Sequence, residues 1–203
     1  MNEQTIGSWL EELGSSAPAP GGGAAGALEV AMGAALVEMV CNLTIGKPAY
    51  AEHEAVMTEV RDRCAVLRVE ATGLAAEDAD AFTAVIAAYR LPKEQEDRGE
   101  RIQAALVDAA DVPRRTAAAA SEVLDLAERI IPGANTNVVS DAATAAGAAR
   151  GALQAALVNI DANRGSITDA ALRSELDEVA ASIERDLTRA DAVFAAARVR
   201  MSG

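Results

Sequence analysis

The chain has 203 residues, of which 51% are hydrophobic but only 2% aromatic, and it carries a formal net charge of −13. Its core must therefore be built from Ala, Leu, Val and Ile, and its length suits one domain, residues 1–203. With no basic stripe, the acidic balance argues against nucleic acid and anionic membrane surfaces as partners.

No segment shows the alternation of a half-buried strand, and alanine dominates every long stretch, which predicts an all-α fold of seven helices. The first covers residues 5–13 and stops at Gly14. The second is the apolar run 23–44. Its length would span a bilayer, but Glu29 and Glu38 lie about half a turn apart around it, so a buried helix is expected. The third begins after Pro48 and continues to Tyr89, where Leu91-Pro92 ends it. Residues 93–110 form a fourth, and Pro113 starts a fifth that stops at Pro132-Gly133. The sixth begins at Ser140 or Asp141, both good caps, and reaches Ile160. The seventh is capped by Thr168 or Ser166 and runs almost to the C-terminus. Its seam is Leu172, Leu176, Val179, Ile183, Leu187, Ala190, Phe194, Ala197 and Met201. Long helices with small-residue faces favour a homo-oligomer, a dimer or higher.

The polar N-terminus carries no signal peptide pattern, and a cytoplasmic protein is expected. Cys41 and Cys64 fall in apolar helical patterns without zinc-ligand spacing and read as free core thiols. One histidine, His53, is too few for a His-based metal cluster and reads as a solvated surface residue between Glu52 and Glu54.

Four features carry chemistry. Pro18-Ala19-Pro20-Gly21-Gly22-Gly23 opens directly into the second helix, so unpaired N–H groups would face a ligand in the loop; the same loop also suits a tight backbone crossing. On the third helix Met57, Val60, Cys64, Leu67, Ala71 and Leu74 mark the core face. The next position in that rhythm is Asp78, followed by Phe82, Val85 and Tyr89. A carboxylate where an apolar residue is demanded is desolvated and titrates high, as a general acid or base requires; a helix break at Gly73, with Asp78 as a cap, is the structural alternative. Of 18 basic residues only Lys47 and Lys93 are lysine, and each can meet an anion as a compact point charge. Asn135-Thr136-Asn137 with Ser140-Asp141, and Asn159 with Asn163, offer amides for a heterocycle or caps for helices.

Together these segments resemble the cyclodeaminase/cyclohydrolase family, which comprises the cyclodeaminase half of formiminotransferase-cyclodeaminase and the stand-alone methenyltetrahydrofolate cyclohydrolases. The carriers are Ala17 followed by the Pro-Gly loop, Met39-Val40-Cys41-Asn42-Leu43-Thr44-Ile45-Gly46-Lys47, Asp78-Ala79-Asp80-Ala81-Phe82, Leu91-Pro92-Lys93, Asn135 with Ser140-Asp141, and Asn159 through Ile167-Thr168-Asp169. The resemblance implies an all-helical subunit that dimerises, a tetrahydrofolate site, and no metal or further cofactor. Its acid/base aspartate falls on Asp78. Pro20, Gly21, Gly22, Gly23, Asn42, Lys47, Phe82, Lys93, Asn135, Asp141 and Asn159 become the candidate substrate-binding residues. Two departures stand out: Ala24 replaces the usual Ser after the glycines, and Ala76 replaces an Asp found in many members. The expected reaction is hydrolysis of 5,10-methenyltetrahydrofolate to 10-formyltetrahydrofolate, favoured because the domain stands alone. The alternatives are the cyclodeaminase reaction on 5-formiminotetrahydrofolate and an inactive folate-binding or scaffold protein.

Overall fold

A computed structural model describes residues 4–202 and contains six α-helices. They are α1 (Ile6–Leu13), α2 (Gly22–Asn42), α3 (Glu54–Tyr89), α4 (Arg98–Ile130), α5 (Val139–Arg164) and α6 (Ala170–Ser202). Short 3-10 turns, Pro48–His53 and Ile131–Gly133, precede α3 and follow α4. Among the described residues there is no strand.

α2 is the central element and packs against α3, α4 and α5, while α6 lies on α4 and α5. It is long and apolar enough to cross a membrane, yet 56% of its most apolar stretch is buried inside the bundle. Alanine and glycine let its neighbours come close. A Cβ on Gly26 would lie 2.7 Å from the Cβ of Ala155, so α2 and α5 meet almost backbone to backbone. The two helices run antiparallel. Gly26 faces Ala152 and Ala155, whereas Gly33, two turns later, faces Ala145 and Ala148.

Three sequence expectations require correction. The predicted fourth and fifth helices are one continuous helix, α4, with Pro113 in its interior. Proline has no N–H, so the Ala109 carbonyl four residues earlier loses its helical donor. The Nδ2 of Asn163 on α5 donates to that carbonyl at 3.1 Å, and Val112 and Pro113 are buried against the core, so the helix persists. The cap of α6 is Asp169, not Thr168 or Ser166: its Oδ1 accepts from the N–H groups of Ala171 and Leu172 at 2.8 and 3.2 Å. Ser166 and Thr168 instead bind Gln103. Ser140 and Asp141 do not cap α5, which starts at Val139 with no side-chain cap and continues past Ile160 to Arg164.

The seams mostly hold. Met57, Val60, Cys64, Leu67, Ala71 and Leu74 are all buried, and α3 runs unbroken through Gly73. On α6 the buried seam passes from Ala190 through Val193 and Ala197, and Phe194 and Met201 are exposed. The Phe194 ring carries the guanidinium of Arg198 instead. His53 is only partly solvated: its ring packs over Gly133, where no side chain would fit. Cys41 and Cys64 are free and buried, and burial pushes both thiols up to about 12.

Candidate functional site

The start of α2 creates the need that the site satisfies. Its N-cap is Gly21, which has no side chain to offer the first-turn N–H groups, and no acidic residue follows in that turn. Asp78, reaching across from α3, fills the role and accepts a hydrogen bond from the backbone N–H of Ala24. Its carboxylate lies directly on Gly23, where an added Cβ would come within 2.6 Å of the Asp78 Cγ. Only glycine permits that approach.

Asp78 is half-buried. Desolvation drives its carboxyl above the ordinary carboxylate range, partly offset by the Ala24 hydrogen bond, which favours the charged form. Neighbouring Glu77 faces away and pairs with Arg115 on α4.

A cavity of about 250 Å³ opens over this carboxylate. Its walls are the loop residues Pro18, Ala19, Gly21, Gly22 and Gly23, the α3 residues Asp78, Ala81, Phe82 and Val85, Ala109 of α4, and Asn159, Ala162 and Asn163 of α5. Phe82 sits at the rim, 46% exposed. The Nδ2 of Asn159 donates to the Ala155 carbonyl one turn back in its own helix at 2.8 Å. No lysine or arginine lines the cavity.

Of the residues singled out from sequence, Gly21, Gly22, Gly23, Asp78, Phe82 and Asn159 line this one cavity. Pro20 lies behind the loop, in a separate groove with Trp9, Ala75, Ala76 and Ala79. Asn42, Lys47, Asn135 and Asp141 do not line the cavity. They belong to the opposite end of the bundle, because α2 with its 21 residues spans about 30 Å between them and Asp78. There Asn135 is buried and structural. Its Nδ2 donates to the Leu43 carbonyl at 2.9 Å, and its N–H donates to Thr44 Oγ1. Asn42 and Lys47 are exposed, and Asp141 sits in the first turn of α5. Lys93 is exposed in the loop between α3 and α4.

Asn163 is the polar wall residue that was not in the candidate substrate-binding set. The signal for it was its position four residues after Asn159, which on a helix continuing to Arg164 puts both on one face. The two departures from the resembling family lie outside the cavity wall. Ala24 is fully buried beneath it, and Ala76 faces the Trp9 groove.

A helical bundle whose long central helix begins at a glycine loop, with an acidic side chain from a neighbouring helix closing that end, defines the class. The chain belongs to the formiminotransferase-cyclodeaminase family, whose signature matches residues 5–182. It is 46% identical over 176 residues to the methenyltetrahydrofolate cyclohydrolase of Methylorubrum extorquens, covering 85% of each chain. It is 28% identical over 171 residues to the rat formimidoyltransferase-cyclodeaminase, covering 82% of this chain and 32% of that protein. Its fold matches the crystal structure of the formiminotetrahydrofolate cyclodeaminase of Thermotoga maritima with a TM-score of 0.87 and 26% identity, over 100% of this chain and 98% of that one.

Proposed function

We propose that this protein hydrolyses 5,10-methenyltetrahydrofolate to 10-formyltetrahydrofolate, with Asp78 as the acid/base group. The observation that carries the reading is the Asp78 carboxylate, desolvated and set on the wall of a cavity otherwise formed by the glycine loop, Phe82 and two asparagines. The similarity to the Methylorubrum cyclohydrolase over 85% of both chains supports the choice of substrate.

The chemistry fits the wall. The bridging carbon of the substrate belongs to a cationic amidinium, and the cavity offers one carboxylate and no competing cation. Water adds to that carbon while Asp78 takes one of its protons, giving a neutral carbinol. The protonated Asp78 then delivers its proton to N5 as the C–N5 bond breaks and the carbinol hydroxyl loses its own proton. The formyl group stays on N10, and one proton is released overall. A carboxyl held above its usual range serves both halves, as base and then as acid.

Cyclodeamination of 5-formiminotetrahydrofolate passes through a similar tetrahedral centre, and the match to the Thermotoga cyclodeaminase favours it as a second activity. Incubating the pure protein with each folate decides between them. Rapid loss of the methenyl absorbance without ammonia production supports the hydrolase. Ammonia release with negligible hydrolysis replaces it with the deaminase, and binding without turnover of either leaves a folate-binding module.

The working unit we propose is a homodimer. The outer face of α2 exposes Met32 (55%), Met39 and Leu43 beside half-buried Leu28 and Leu36, an apolar stripe suited to a second copy. Analytical ultracentrifugation at micromolar concentration tests it, and a monomer there would reject it.

A further inference from the structure

We propose that Asn163 binds the substrate by presenting its Oδ1 to an N–H donor of the pterin ring, and that Pro113 is the positioning residue that makes it do so. This rests on the folate reading above.

An asparagine can show a cavity either its oxygen or its nitrogen, and the choice decides whether it recognises donors or acceptors. Here the choice is made within the wall, by a bond from α5 to Ala109 of α4. Pro113 leaves the carbonyl of Ala109 without a helical donor, and Ala109 is buried. The Nδ2 of Asn163 meets that carbonyl at 3.1 Å, which turns the amide nitrogen toward α4 and leaves Oδ1 for the cavity that Asn163 lines. Asn159, one turn earlier, is set in the same sense by its bond to the Ala155 carbonyl.

The two amide oxygens stand on one face of α5, about 5–6 Å apart at Cβ by helix geometry. Asp78 is committed to the one-carbon bridge, so these two oxygens are the acceptors the wall offers to the ring. A tetrahydropterin edge carries N–H donors at the 2-amino group, N3 and N8, and matches such a wall. A ring edge made of acceptors would leave these oxygens unpaired, a costly mismatch in a partly desolvated site. The proline therefore sets the site's selectivity from the helix behind it.

The test separates affinity from stability. KM and kcat for methenyltetrahydrofolate and the melting temperature are measured for the unaltered chain, Pro113→Ala, Asn163→Leu and the double variant. Alanine at position 113 returns an N–H to the Ala109 carbonyl and frees the Asn163 amide to rotate. Each single variant is expected to raise KM roughly 3- to 10-fold, the worth of one neutral hydrogen bond, with kcat changed less than twofold. Pro113→Ala should not lower the melting temperature. The double variant should keep the KM of Asn163→Leu alone and regain the stability which that variant loses, because Ala109 has a donor again. Unchanged KM in either single variant, or KM effects that multiply in the double, overturns the proposal. Should Pro113→Ala fail to fold, the KM of Asn163→Leu decides alone, and an unchanged value overturns it. An unaltered chain with no turnover of either folate sinks the functional reading together with this ligand. Normal turnover with unmoved variants sinks this inference only.

Discussion

The carboxylate of Asp78 rests on the α-carbon of Gly23 and takes the N–H of the next residue, so the acid/base candidate of the site is also the missing cap of the central helix. One side chain thereby serves the fold and the chemistry, and substitution should pull the two apart.

In Asp78→Asn an amide oxygen can still accept from the Ala24 N–H, but the proton-transfer group is gone. Turnover should fall by roughly 10²–10⁴ while the protein stays folded. Stability should change in the opposite direction. Because burial raises the native carboxyl above its unfolded value, the native state holds its proton longer. Asp78 therefore costs stability as pH rises from the unfolded value through the raised native one. The Asn variant should melt higher than the parent near pH 7 and lose that advantage toward pH 4. Melting curves across this range check the sign, and a variant less stable at neutral pH than at acid pH relative to the parent would contradict it.

Gly23→Ala tests the close approach itself. Its methyl group would land on the Asp78 carboxylate, so the side chain must leave or α2 must shift. Overpacking of this kind costs about 1–3 kcal/mol, and activity should be lost with it. Gly22→Ala is the control. Nothing lies within 4 Å of its would-be Cβ, and urea unfolding should show it as stable as the parent or slightly more so.

Trp9 is the one tryptophan of the chain and the one buried residue of α1, wedged behind the glycine loop with Pro20, Ala75 and Ala76. Ligand in the cavity on the other side of that loop should change its emission. Trp9→Ala should release α1, raise amide exchange over residues 5–21, and increase KM more than it lowers kcat. Unchanged exchange there would mean that α1 is held by something else.

Cys41 and Cys64 should be inert. With both thiols pushed up to about 12 by burial, a disulfide reagent at pH 8 should label neither in the native protein and both after denaturation. Rapid native labelling would show that this part of the core opens readily.

Much of this was legible in the residues. The core rhythm of α3 led directly to Asp78, and the run of glycines marked the start of α2, because both signals are local and periodic. What failed to show was satisfied from a distance. Pro113 reads as a helix start because nothing nearby in sequence can supply the Ala109 carbonyl; the donor sits 54 residues away on α5. A second boundary, the end of α5, was set too early at Ile160; Asn163 was paired with Asn159 as a possible amide contact but stayed out of the substrate-binding set, and the helix in fact carries both to Arg164. Lys47, Asn135 and Asp141 share the family-like pattern with Asp78 yet belong to the other end of the bundle. Sequence proximity along a motif says nothing about which end of an antiparallel helix pair a residue occupies.

The dimensions of the cavity have one last implication. A space of about 250 Å³ is less than a whole folate needs, so only the bicyclic head and its one-carbon bridge can be enclosed. In the folate reading the aminobenzoyl portion and its glutamates extend past the rim, and the wall holds no lysine or arginine to meet them. The wall itself can then discriminate only the head group.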